Sequence, residues 1–162
     1  MRKEAVLLVY GEGGHRAQMK RLYAQLKPEL TARGIEAVGV CEYEDSIDEF
    51  ENYSLPALRD KYSWGKSFVM APVAIFKYLS AIIRIAGRHK IVGVISTGPG
   101  LAIVPSLIFK LLGARIVFVE TWSRFETSSL TGRVMYRVAD RFYYQNKSLD
   151  KHYPQGRYGG LL

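Results

Sequence analysis

Three turns hold the residues best suited to chemistry. Gly11-Glu12-Gly13-Gly14-His15 follows the apolar run Ala5 to Tyr10 and opens a stretch of helical period. Its glycines let the backbone approach a ligand closely, and the free N–H groups and dipole at a helix N-terminus favour phosphate. The pattern matches neither the GxGxxG dinucleotide fingerprint nor the P-loop, which disfavours a plain nucleotide fold. His15 stands at the helix start, where the positive end of the dipole lowers its pKa and keeps the ring neutral. It reads as a base or a phosphate-orienting group, with a capping and packing role as the alternative. His89 and His152, in basic or polar context, read as surface residues.

The second turn, Ser96-Thr97-Gly98-Pro99-Gly100, follows Ile91 to Ile95 and opens another helix. Two glycine turns on one sheet edge can converge on one anionic ligand, although Gly and Pro also punctuate ordinary tight turns. The third stretch, Val119-Glu120-Thr121-Trp122-Ser123-Arg124-Phe125-Glu126-Thr127, gathers carboxylates, hydroxyls and an arginine after a further strand. Arg124 suits bidentate phosphate binding, and Glu120 or Glu126 suits a base or a partner for a sugar hydroxyl. An Arg–Glu ion pair that organises the loop, with Ser128 or Ser129 capping the next helix, is the structural alternative. The expected phosphate- or acceptor-binding residues are Gly13, Gly14, Arg16, Thr97, Gly98, Gly100, Ser123 and Arg124, with His15, Glu126 and Glu120 as catalytic candidates.

These turns need a scaffold, and the hydrophobic pattern supplies one. Strand-length runs at Ala5 to Tyr10, Glu36 to Cys41, Ile91 to Ser96, Arg115 to Val119 and Arg141 to Gln145 alternate with helical stretches. A short third strand is expected near Tyr53 to Leu55, within the polar, irregular segment 42–66. Helices are expected from about Ser67 to Gly87, Leu101 to Leu112 and Ser129 to Ala139, and Gly34 is placed to cap the first. The order is that of an α/β, doubly wound, Rossmann-like parallel sheet. With 162 residues the chain makes one domain, so any second half of a larger enzyme belongs to another chain.

The helix over 67–88 is unbalanced. At about 100° per residue, Lys77, Ser80, Arg84 and Arg88 form one narrow stripe, and apolar residues including Phe76, Leu79 and Ile83 occupy an arc of roughly 200°. That is about twice what covering a sheet requires. A membrane span is disfavoured, because Lys77 and Arg84 would each cost roughly 2.5–3.5 kcal/mol at the bilayer centre. Lying in the membrane interface fits better, with the cations on anionic headgroups. A protein interface or a deep core position is the alternative.

The formal charge of +8 implies an anionic partner. No helix-turn-helix, zinc-finger or RNP-like pattern is present, so nucleic acid is not the expected one. The single Cys41 excludes an internal disulfide, no spacing suggests a zinc site, and a reducing cytoplasm fits best. The N-terminal apolar run is too short for a signal peptide core.

In these residues the sequence resembles the membrane-anchoring subunit of the eukaryotic two-chain N-acetylglucosaminyltransferase of dolichol-linked oligosaccharide synthesis. It is most similar to the bacterial PssD-type proteins of exopolysaccharide and capsule synthesis. The match runs from the glycine turn and Met19-Lys20-Arg21-Leu22 through Thr97-Gly98-Pro99-Gly100 and Val117-Phe118-Val119-Glu120. It continues through Arg124-x-Glu126-Thr127-x-Ser129-Leu130-x-Gly132, Ala139-Asp140-Arg141-Phe142 and Gln145, nearly the full chain. The resemblance implies the N-terminal, acceptor-binding half of a GT-B glycosyltransferase cut in two. A PssE-like donor-binding subunit would hold the UDP-sugar, and this chain a polyprenyl-diphosphate-linked sugar at the cytoplasmic face of the membrane, peripherally or monotopically. The preferred donor sugar is glucuronic acid. No cofactor is expected and no DxD-like metal motif is present. The chain differs from the eukaryotic subunit in having no N-terminal transmembrane helix, which moves membrane contact to the helix at 67–88. A non-catalytic scaffold that recruits the transferase, and a free-standing nucleotide-binding protein, are the alternatives.

Overall fold

The computed structural model describes residues 2–42, 46–55 and 64–162, with backbone alone for residues 42 and 64–75. Strand β1 (Lys3–Tyr10) leads through the first glycine turn into helix α1 (Gly14–Ala32), followed by β2 (Glu36–Glu42) and β3 (Glu51–Leu55). Helix α2 (Trp64–Arg88), strand β4 (His89–Ser96), a short 3-10 turn (Gly100–Ala102) and helix α3 (Ile103–Leu111) come next. The chain closes with β5 (Arg115–Val119), α4 (Leu130–Val138), β6 (Arg141–Tyr144), a 3-10 turn (Lys147–Leu149) and β7 (Arg157–Tyr158).

All seven strands are parallel, in the order β3-β2-β1-β4-β5-β6-β7. From β1 the chain first winds one way, through β2 and β3, then returns to β4 and winds the other way. The strand order therefore reverses between β1 and β4, and open α/β sheets bind ligands at such a reversal, beyond the carboxyl ends of the strands. Both glycine turns issue from those two strands.

Central position explains the composition of β1. Ala5 to Tyr10 are all buried, as expected of a strand covered on both faces. One face meets α2, α3 and α4 through a core that includes Tyr78, Ile82, Ile85, Leu101, Phe109, Phe118 and Met135. The other meets α1 through Tyr10, Met19, Tyr23, Cys41 and Ile47. Helix α1 ends where Gly34 takes φ 66°, and Ile35 N–H reaches back to Leu30 O at 2.9 Å. That is the left-handed cap glycine allows at little cost.

Strand and helix positions agree with the sequence pattern, with four corrections. The helix expected from 67 begins at Trp64, and the one expected from Leu101 opens as a 3-10 turn. Strand β7 was not expected. His89 is not a surface residue: its side chain is 11% exposed and lies between Glu36 and Glu51, 3.7 and 3.5 Å away, because the parallel sheet brings the starts of β2, β3 and β4 to the same edge.

Candidate active site

The turns after β1 and β4 are stitched together. Thr97 N–H donates to Val9 O at 3.3 Å, and Thr97 Oγ1 donates to the His15 carbonyl at 3.0 Å. His15 Nδ1 in turn lies 2.6 Å from Thr97 O. A carbonyl oxygen only accepts, so Nδ1 carries the proton. The neutral ring therefore keeps its acceptor lone pair on Nε2, the arrangement a general base requires.

His15 is partly buried, and burial lowers its pKa below the ordinary 6.5. The Thr97 carbonyl and the charge of Glu120 push the other way and offset part of the shift. The direction is the expected one, but the leading cause is desolvation rather than the helix dipole.

Glycine at position 98 is a steric necessity. Its φ is +103°, and a Cβ there would lie 2.9 Å from His15 Cε1 and 3.3 Å from Thr121 Cβ. A Cβ on Gly14 would stand 3.4 Å from Trp122 Nε1, and one on Gly100 would stand 3.7 Å from Thr131 Oγ1. All three turns thus meet around His15. Gly13, at φ 58°, begins the helix with no side-chain cap, which leaves that position to the backbone. Arg16 Nη2 is committed to Ser46 O at 2.8 Å, and Arg21 stacks over Trp122 at 5.1 Å.

Glu120 differs from expectation. It is 0% exposed, and its carboxylate accepts from Thr121 N–H at 3.1 Å, from Ser129 N–H at 3.4 Å, from Ser129 Oγ at 2.9 and 3.1 Å, and from the Tyr153 hydroxyl. A carboxylate so enclosed and so fully bonded positions the loop rather than meeting a substrate. Burial and the Glu120 hydrogen bond both push the Tyr153 phenol upward, so it stays protonated as a donor. Gly132 closes the pocket, since a Cβ there would sit 1.9 Å from Glu120 Oε2.

The Arg–Glu ion pair that stood as the structural alternative for this loop is absent among the described residues, and hydrogen bonds organise the loop instead. Ser129 caps α4, its Oγ accepting from Gly132 N–H at 2.8 Å. Asn146 Nδ2 donates to Trp122 O at 3.0 Å and to Arg124 O at 2.6 Å, Ser148 Oγ donates to Phe125 O, and His152 Nε2 lies 2.8 Å from Glu126 O. With the loop's carbonyls held on one side, the side chains of Ser123, Arg124 and Glu126 remain exposed. Ser123 Oγ touches only Thr121 Oγ1, at 3.1 Å, among the described residues. Gln18, Trp122, Gln145, Asn146 and Tyr153 are the site residues that sequence reasoning missed. Gln18 and Gln145 sit within helical and strand patterns and Trp122, Asn146 and Tyr153 in loops, and none carries a local signal of such long-range partners.

The remaining expected residues lie on α2, away from this crevice. Tyr78, Ala81, Ile82 and Ile85 cover the sheet, whereas Phe76 is 73%, Ile83 71% and Leu79 43% exposed. Lys77, Arg84 and Arg88 are exposed along one flank. The side chains of the expected arc over 67–75 lie outside the described residues. No helix among the described residues is long and apolar enough to cross a membrane.

The Acinetobacter baumannii MurG crystal structure superposes with a TM-score of 0.60 at 16% identity, over 88% of this chain and 41% of MurG. A Listeria monocytogenes protein described as a UDP-N-acetylglucosamine 2-epimerase gives 0.64 at 13% identity, over 95% of this chain and 42% of that one. The fold is thus one Rossmann-like half of a GT-B architecture, and the chain spans about two fifths of those structures. The rat UDP-N-acetylglucosamine transferase subunit ALG14 is 30% identical over 97% of this chain and 82% of its own length. The family model for "Oligosaccharide biosynthesis protein Alg14 like" matches residues 6–162, from the middle of β1 to the last residue, and the chain belongs to that family.

Proposed function

We propose that this chain is the acceptor-binding, membrane-associating subunit of a split GT-B glycosyltransferase. It acts with a donor-binding, PssE-like subunit that holds a UDP-sugar, and the acceptor is a polyprenyl-diphosphate-linked sugar of exopolysaccharide or capsule synthesis. Glucuronic acid is the donor sugar we favour, on the PssD-type resemblance. The observation that carries this reading is the crevice between β1 and β4, where His15 is fixed by Thr97 as an Nδ1–H tautomer.

The acceptor diphosphate lies against the glycine turns, where helix α1 presents its N-terminus and Arg124 is free to approach. His15 Nε2 takes the proton from the acceptor hydroxyl as the oxygen attacks the anomeric carbon and the UDP leaves towards the partner. Glu126, exposed on the same loop, is the alternative base. Glu120 holds that loop in place. The tail of the acceptor runs in the bilayer beside the outward face of α2, at the cytoplasmic side.

A second reading, a scaffold without catalytic groups, is favoured by the full occupation of the Glu120 carboxylate. Transfer of sugar from UDP-sugar to the lipid acceptor by the two subunits together separates them. His15→Ala is expected to reduce turnover about 10²- to 10⁴-fold with the complex intact. Turnover within a factor of two or so of the parent protein would leave the scaffold standing.

A further inference from the structure

Helix α2 divides its described side chains into three sectors. Tyr78, Ala81, Ile82 and Ile85 face the sheet, and Phe76, Leu79 and Ile83 face outward. Lys77, Ser80, Arg84 and Arg88 follow one another along the flank that looks onto β3. With Tyr53 and Ser54 they line a cavity of about 460 Å³.

Charge is unevenly used inside this cavity. Arg88 is committed, donating to Glu51 at 3.3 Å and to the Tyr53 hydroxyl at 3.4 Å. Glu51 is the one carboxylate in the lining among the described residues. Lys77 and Arg84 make no side-chain hydrogen bond or ion pair among the described residues, which leaves two cations aimed at one concave polar space. They stand seven positions apart on the helix, about 10 Å along the axis, with Ser80 midway, so both side chains are long enough to reach one small anion placed between them.

The neighbouring surface says what kind of anion. Beside the cations stand Phe76 and Ile83, and α3, on the same side of the sheet, adds exposed Leu107 and Leu111, with Leu112 just past its end. Cations lie at the margin of an apolar face, which is where phosphate groups lie when such a face meets a bilayer. Diffuse attraction needs no cavity. We infer that the α2–β3 cavity binds the phosphate of an anionic phospholipid headgroup, clamped between Lys77 and Arg84. The inference rests on the membrane-associating reading above and adds to it a defined site with headgroup selectivity.

Flotation of the full chain with phosphatidylcholine vesicles, with and without phosphatidylglycerol, tests it. The parent protein should prefer the phosphatidylglycerol vesicles. Ser80→Phe fills the cavity without altering net charge and should cut that preference roughly ten-fold or more, as loss of charge-assisted hydrogen bonds predicts. Arg84→Lys, equal in charge but without the planar fork, should cut it in part and covers the case in which Ser80→Phe does not fold. Preference unchanged in the variants that fold would overturn the cavity and leave membrane association standing. Failure of the parent protein to float with either vesicle would overturn both. Stabilisation by inorganic phosphate in a thermal melt, lost in the Ser80 or Arg84 variant and without any preference for phosphatidylglycerol, would reassign the cavity to soluble phosphate and overturn the lipid assignment.

Discussion

Glu120→Gln separates a positioning carboxylate from a catalytic one. In the native chain both carboxylate oxygens accept: Oε1 from Thr121 N–H and Ser129 Oγ, and Oε2 from Ser129 N–H, Ser129 Oγ and the Tyr153 hydroxyl. Glutamine has nearly the same shape but places an NH₂ at one of the two positions. At Oε2 it confronts Ser129 N–H, and at Oε1 it confronts Thr121 N–H. Neither backbone donor can turn away, so one buried donor loses its acceptor at a cost of about 1–3 kcal/mol. The remaining bonds also lose their charge assistance, which brings the expected loss to roughly 2–4 kcal/mol, a large part of a typical 5–15 kcal/mol. Urea unfolding followed by tryptophan fluorescence reads this directly, because Trp122 lies in the loop; the midpoint should fall with the slope unchanged. Tyr153→Phe should cost about 1.5–3 kcal/mol, and the double variant less than the sum, because both act at one carboxylate. Stability within about 0.5 kcal/mol of the parent, combined with a turnover loss of about 100-fold or more, would refute the positioning role and return Glu120 to the chemistry.

Two further outcomes follow from the first turn. Burial holds the His15 pKa below 6.5, so the neutral base persists as the solution is acidified, and the acid limb of kcat/KM should fall below the ordinary histidine value and vanish in a His15 variant that retains activity. The same shift bears on folding: the contribution of a neutral buried histidine is fully present above 6.5 and is lost as pH falls towards the folded-state value, so the stability difference between the parent and His15→Gln should change over that range. Gly98→Ala should lose about 1–3 kcal/mol in a thermal melt and lower turnover more than stability accounts for, because the φ of +103° is strained for alanine and its Cβ would displace the His15 ring. A variant with parental melting and turnover would mean that the ring has room to move.

How much of this was legible in the sequence depends on the range of the interaction. Strand β1 was readable because an uninterrupted apolar run, set between charged residues and a glycine turn, has one economical meaning, a buried parallel strand. That its turn meets the turn at Thr97 was readable only as a possibility, since contact requires the order to reverse between β1 and β4, a property of the whole sheet. The α2 imbalance was also visible: Phe76, Leu79 and Ile83 on one face and Lys77, Arg84 and Arg88 on another follow from helical geometry alone. Tyr153 and Glu120 are far apart in sequence and share no periodic signal, so their pairing appeared only in three dimensions. His89 misled for the same reason, because its basic sequence neighbours are replaced in the fold by Glu36 and Glu51. Strand β7, at two residues, is too short to carry a pattern.

Glu120 also shows why the site behaves as one unit. While its carboxylate closes the loop between β5 and α4, its backbone carbonyl accepts from Gln145 Nε2 at 2.9 Å and from Gln18 Nε2 at 3.4 Å, and its N–H donates to Tyr143 O at 2.8 Å. Gln18 lies one turn along α1 from His15, and Gln145 Oε1 accepts from Leu162 N–H at 3.0 Å. Arg21, a further turn along α1, donates to Leu162 O at 2.9 Å and stacks on Trp122. The helix that carries His15, the loop that carries Arg124 and Glu126, and the C-terminal segment are therefore joined through one residue and its immediate partners. Displacing any of the three strains a buried hydrogen bond in the other two, and groups that must hold a reacting hydroxyl within hydrogen-bond reach gain most from that kind of rigidity.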